Sequence, residues 1–172
     1  MVVIITGASH TGKTLAAHRL TLRHGFSCLS VDLLKMGLIR SGNTTLTPLD
    51  PDEKLTPYLW GIVREMIKTA IENDQDLIVE GCYVPFGWRD DFSPEYLREI
   101  RYFCLVMTER YIREHFDDII AHESDIEKRL TNDFTIEEAL MENARYQRGC
   151  EEYALEPILI DGSYEAEIDI KE

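Results

Sequence analysis

Residues Gly7 to Thr14 read Gly-Ala-Ser-His-Thr-Gly-Lys-Thr, directly after the apolar run Met1-Val-Val-Ile-Ile-Thr6. The pattern is G-x-x-x-x-G-K-[ST], a phosphate-binding loop, and its setting supports it. A β-branched run leads in and an amphipathic segment, Leu15 to His24, leads out. Such a loop points backbone N–H groups inward around phosphate oxygens, so Gly7, Ala8, Ser9, His10, Thr11, Gly12, Lys13 and Thr14 form the expected nucleotide cradle. Gly7 and Gly12 supply backbone angles that a side chain hinders. The helix that begins here adds its positive end. Lys13 is expected to reach the β- and γ-phosphates, and the Thr14 hydroxyl to hold Mg²⁺.

The bulk properties narrow the partners. The chain has 172 residues, enough for one domain with a real core, and is 44% apolar. A net charge of −14 argues against nucleic acid, which selects a basic face, and against an anionic membrane. No apolar stretch has the length of a membrane span. The leading strand runs straight into the loop, so a cleaved signal peptide is not expected, and the cytoplasm is the expected compartment. Cys28, Cys82, Cys104 and Cys150 form no C-x-x-C pair. They read as buried small hydrophobes in a reducing compartment.

Apolar runs alternate with helix-period segments. Strands are expected at Val2–Thr6, Ser27–Ser30, Leu77–Glu80, Tyr102–Met107 and Ile158–Ile160. Helices are expected at Lys13–His24, Leu33–Ile39, Pro57–Glu72, Glu109–His122 and Ile136–Tyr153. Trp60, Met66 and Ile67 read as core. The strands show little alternation, which predicts burial on both faces. This rhythm is that of an α/β parallel sheet with helices on both sides. Ligands in such sheets bind beyond the carboxyl ends of the strands.

The residues after each strand therefore carry the chemistry. Asp32 follows the second strand and suits a general base, a Mg²⁺ contact through water, or a helix cap. Lys35 lies one turn on, placed to hold an anionic group of a substrate, with Arg40 beyond it. Glu80 ends the third strand, positioned to orient the metal's water shell or contact substrate; a salt bridge at the sheet edge is the simpler alternative. Arg110 and Arg113 share a helix face after the fourth strand, and Arg145 and Arg148 repeat that spacing later. Arg113 is the candidate for steadying a transferred phosphoryl group, and Arg148 for the nucleotide. The loop Gly81–Pro94 carries Tyr83, Phe86, Trp88 and Arg89. Exposed aromatics there suggest a substrate loop, with Tyr83 and Arg89 as contacts. The Ser41–Glu53 loop reads equally as a lid or a plain connection. The five histidines show no ligand spacing.

With these residues in view, the chain resembles the P-loop small-molecule kinases, the superfamily of adenylate, shikimate and gluconate kinases. The resemblance rests on Gly7-Ala-Ser-His-Thr-Gly-Lys-Thr14, Asp32-Leu-Leu-Lys35 and Glu80-Gly81. Lys35 stands where adenylate kinases place the Arg of an Asp-x-x-Arg turn. Leu77-Ile-Val-Glu-Gly-Cys-Tyr-Val-Pro85 is similar to the Glu-Gly segment of 2-phosphoglycerate kinases, with Tyr83 in place of a His and Pro85 one residue early. The resemblance implies a three-layer P-loop NTPase sandwich with five parallel strands in the order 2-3-1-4-5. It also implies ATP and Mg²⁺, a small-molecule acceptor, and a lid near residues 123–133, with Arg129 as a lid arginine. Two other functions fit the residues: a nucleotide-binding regulatory module with little or no turnover, and a phosphotransferase acting on an antibiotic or nucleotide sugar. No Asn-Lys-x-Asp guanine motif is present. Oligomeric state and the identity of the acceptor stay open.

Overall fold

The computed structural model describes residues 1–122, 134–164 and 168–170. The expected lid, with Arg129, lies outside the described residues. Five strands form one sheet: β1 (Val2–Gly7), β2 (Ser27–Ser30), β3 (Leu77–Glu80), β4 (Ile100–Met107) and β5 (Pro157–Ile160). Their order is β2-β3-β1-β4-β5, and every pairing is parallel. This is the strand order that the resemblance to P-loop kinases implied.

Alternation along β1 builds the two faces. Val3 and Ile5 point into a core with Ala16, Ala17 and Leu20 of α1 (Lys13–His24) and Ile112 and Ile119 of α5 (Glu109–Ala121). Val2 and Ile4 point the other way. They meet Val31 of α2 (Val31–Arg40) and Leu55, Leu59, Trp60, Val63 and Ile67 of α3 (Asp52–Glu72). Both faces of the central strand are thus apolar, and a period-2 pattern is invisible there because each side has a helix layer to fill. The edge strands differ from expectation. β2 is exposed or half-buried throughout, and Cys28 on it is exposed rather than buried. An edge strand has a sheet neighbour on one side only.

Several helix bounds also moved. The α2 helix starts at Val31 with Ser30 as its cap, so Asp32 lies inside the first turn and is not the cap residue. Lys54 and Leu55 both donate to the Pro51 carbonyl, and α3 runs from Asp52 through Pro57. Pro57 was expected to open this helix; its lack of an N–H costs one bond inside the second turn instead. Met66 sits on the outer face of α3, 38% exposed, whereas Trp60 and Ile67 are core.

The segment after β3 is the largest departure. It holds a 3-10 turn at Trp88–Asp91 and a short helix α4 (Pro94–Arg98). Tyr83, Trp88 and Phe92 are buried in the core against α3. Trp88 stacks on Tyr102 with ring centroids 5.2 Å apart. Phe86 packs over Gly149 of α6 (Ile136–Glu152), where any side chain would collide with its ring, and meets Tyr146 edge-on. The aromatics expected to be exposed toward a ligand are packing groups, and they give a bulky aromatic-binding acceptor no support.

Candidate active site

The loop between β1 and α1 is shaped by two close approaches. Gly7 has φ 143°, and a Cβ there would lie 2.2 Å from the Leu105 carbonyl oxygen of the neighbouring strand. Gly12 has φ 77°, and a Cβ there would lie 1.5 Å from the Tyr164 hydroxyl. That hydroxyl donates to the Thr11 carbonyl at 3.2 Å. Tyr164 therefore pins the loop from the chain beyond β5, a contact that no sequence motif announces. Inside the loop, the Thr11 hydroxyl donates to Ala8 O at 2.8 Å. The Lys13 ammonium folds back onto the same carbonyl at 2.7 Å and is buried. His10 takes φ 63° and stacks on Phe134, centroids 4.0 Å apart.

Thr14 lies in the first turn of α1, and its hydroxyl donates to Glu80 Oε2 at 3.2 Å. Glu80 is 3% exposed. Its register opposite Ile5 on one side and Ser30 on the other fixes it at the carboxyl end of the central sheet. A hydroxyl and a carboxylate side by side are the hard oxygen donors that Mg²⁺ takes, with phosphate oxygens and water completing the shell. Among the described residues there is no cluster of three or more His, Cys, Asp or Glu that could hold a metal ion alone.

A second group forms one strand over. Lys35 donates to Asp32 Oδ1 at 2.6 Å and to the Tyr83 hydroxyl at 2.8 Å, and its ammonium lies 4.7 Å from the Tyr83 ring centroid. The lysine side chain is 12% exposed and the aspartate 42%, so the lysine sits behind Asp32 and steers it outward. Burial pulls the Lys35 pKa down, but the hydrogen bonds and charges of Asp32 and Tyr83 outweigh it and the net shift is upward. The Tyr83 hydroxyl is pushed up by burial, which outweighs the opposing effect of Lys35.

Cys82 links the two groups. Burial raises its thiol pKa, Lys13 lowers it, and Asp32 and Glu142 raise it again. Lys13, Asp32 and Glu142 thus all act electrostatically on the Cys82 thiol. Glu142 arrives on α6. Its neighbour Asn143 is buried, accepts from Met107 N–H at 2.8 Å, and donates to Ala139 O at 2.8 Å. One turn on, the Tyr146 hydroxyl donates to the Cys82 carbonyl at 2.9 Å. These bonds lay α6 across the strand ends and bring Glu142 Oε2 to 2.9 Å from Ser9 N–H.

The arginines have other partners or face solvent. Arg113 is exposed and paired with Glu109 of its own helix at 2.8 Å. Arg148 is exposed on α6. Arg145, its neighbour one turn back, holds Asp52 of α3 at 3.2 Å. Arg40 is exposed at the end of α2, and Arg89 lies over the Trp88 ring at 5.7 Å. Sequence reasoning missed Cys82, Glu142, Tyr146 and Tyr164. Only the i, i+4 step from Glu142 to Tyr146 on one helix face could have drawn attention to them.

No protein-family model matches the sequence, and no curated protein matches it. Solved structures do. A presumed kinase from Chloroflexus aurantiacus J-10-fl superposes with a TM-score of 0.51 at 17% identity, over 84% of this chain and 78% of that one. A gluconokinase from Sinorhizobium meliloti 1021 gives 0.42 at 16%, over 89% and 95%. Shikimate kinase from Aquifex aeolicus VF5 gives 0.42 at 13%, over 88% and 99%. With the strand order, the first of these shows that the chain shares that structure's fold.

Proposed function

We propose that the protein transfers a phosphoryl group from ATP, with Mg²⁺, to a hydroxyl or phosphate of a small acceptor. The observation that carries this reading is the Thr14–Glu80 hydrogen bond. It couples the end of the phosphate loop to the acid ending the adjacent strand, where metal-bound phosphate chemistry needs both. Thr14 and Glu80 would hold the metal, which neutralises charge on the phosphate oxygens when bound. Lys13 balances the β- and γ-phosphates. Asp32, turned outward by Lys35, accepts the proton of the attacking hydroxyl or orients it. The Tyr83 hydroxyl accepts from Lys35, which leaves its own proton to donate toward the acceptor. Arg113, Arg148, Arg40 and Arg89 are second-rank candidates, since they lie on exposed helix or turn positions.

The test is ADP release from Mg-ATP across a panel of small hydroxylated and phosphorylated metabolites. Some acceptor should raise release well above the rate with water. Lys13→Ala should cut kcat/KM at least ~100-fold, about 2.7 kcal/mol of transition-state stabilisation. Asp32→Asn should lower kcat while leaving ATP affinity unchanged. Nucleotide binding with no acceptor stimulation from any panel member, and no effect of Asp32→Asn, favours the regulatory-module reading instead.

A further inference from the structure

Glu142 makes the hydrogen bond that a phosphate oxygen would make. Its carboxylate accepts from Ser9 N–H at 2.9 Å, and that N–H belongs to the loop whose amides cradle phosphates. The contact is built into the helix packing. Asn143, 3% exposed, fastens α6 to Met107, and Tyr146 fastens it to Cys82. With the helix fastened one and four residues beyond position 142, rotation of the side chain is the simplest way to remove the carboxylate.

Ser9 lies at one definite end of the loop. In loops of this pattern the α- and β-phosphates of a nucleotide lie over the helix end, which here would be Gly12 to Thr14. Lys13, the cation that reaches the β- and γ-phosphates, lays its ammonium on the Ala8 carbonyl, one residue before Ser9. The strand end of the loop is thus the terminal-phosphate end. A γ-phosphate and the Glu142 carboxylate carry like charge and need the same donor.

We propose that Glu142 sets the nucleotide preference of the loop: its carboxylate competes with the terminal phosphate of a nucleoside triphosphate for Ser9 N–H and leaves a diphosphate little affected. The proposal rests on the reading of Gly7–Thr14 as a nucleotide site. The place for the displaced carboxylate is Arg145, three residues on along the same helix face, whose guanidinium already feels the Glu142 charge. Binding a triphosphate then requires Glu142 to turn from Ser9 toward Arg145.

Isothermal titration calorimetry on the full chain, with Mg²⁺ and either a non-hydrolysable ATP analogue or ADP, tests this without requiring turnover. Glu142→Gln keeps the size and an acceptor oxygen but removes the charge; Glu142→Ala removes both. Thermal melts confirm that each variant folds, and either alone is sufficient. The expected result is an analogue Kd about tenfold lower in the variants, with the ADP Kd changed by less than about twofold, a gap of about 1.4 kcal/mol for a tenfold change. An unchanged ratio of the two Kd values, or weaker analogue binding in the variants, overturns the role of Glu142 while leaving the nucleotide site intact. Folded wild-type protein that binds neither nucleotide overturns the site reading, and the proposal with it.

Discussion

The Thr14 hydroxyl donates to Glu80 Oε2 at 3.2 Å across 66 positions of sequence. One partner lies in the first turn of α1 at the end of the phosphate loop, and the other closes β3. The sheet brings them together because β1 and β3 are adjacent and parallel, with Ile5 opposite Glu80. A buried carboxylate of this kind is costly without polar company, and the Thr14 hydroxyl supplies part of it at the end of an otherwise apolar strand.

Replacing Glu80 with Gln keeps a hydrogen-bond acceptor for Thr14 and removes the charge. If the pair holds a metal beside the phosphates, kcat falls by roughly 100-fold and half-maximal activity needs about tenfold more Mg²⁺. Nucleotide affinity without Mg²⁺ stays near wild type. A metal titration of initial rates checks this, and an unshifted Mg²⁺ requirement removes Glu80 from the metal site.

Trp88 separates a packing role from a ligand role. It is 3% exposed, stacks on Tyr102 and meets Phe92 edge-on. Trp88→Ala should lower unfolding free energy by about 3–5 kcal/mol, the cost of truncating a large buried aromatic. In the fraction that remains folded, KM for the acceptor should be unaltered. Urea denaturation gives the first quantity and steady-state kinetics the second. A stable variant with a raised acceptor KM would restore the aromatic loop as a substrate contact.

The division between legible and hidden follows the range of the interactions. The phosphate loop and the strands are written locally, as an apolar run, a glycine pattern and a helix start, whereas the sheet order came only with the family resemblance. Asp32, Lys35 and Glu80 could be named because each follows a strand, and parallel topology sends such residues to one end. Their partners could not be named. That Lys35 faces Asp32 and Tyr83 depends on how the chain after β3 folds back, and Tyr83, Phe86 and Trp88 looked free only because nothing local shows what covers them. Glu142 and Tyr164 approach the loop from 133 and 153 positions away. Such contacts are set by helix docking, which leaves no spacing signal in one sequence. Cys28 and Met66 were misplaced for a related reason: hydrophobicity alone does not tell an edge strand or an outer helix face from the core.

Gly12 and Tyr164 should behave as a coupled pair. Gly12→Ala puts a methyl group onto the Tyr164 hydroxyl and forces an L residue into left-handed backbone. Overpacking and strain together should cost about 1–3 kcal/mol. Tyr164→Ala removes the collision but not the strain, so the double variant should regain at least about 1 kcal/mol relative to the sum of the single effects. Chemical denaturation of the four proteins completes the cycle. Simple additivity would show that Tyr164 does not pack on the loop in solution.

The Asp32–Lys35–Tyr83 cluster predicts an alkaline limit on stability. Lys35 and Tyr83 both hold their protons more tightly in the fold than their ordinary values imply. For a raised pKa the folded state binds more protons than the unfolded state between the two values, so stability falls with rising pH there. The contribution is complete below about pH 10, where unfolded tyrosine and lysine are still protonated, and is lost as pH climbs through the raised folded values. Urea midpoints measured from pH 8 to pH 11 should therefore drop more steeply in wild type than in a Lys35→Met/Tyr83→Phe variant, with the two curves diverging only above about pH 10. Parallel curves over the whole range would mean that the alkaline loss arises from other groups and that the cluster titrates as it does in the unfolded chain.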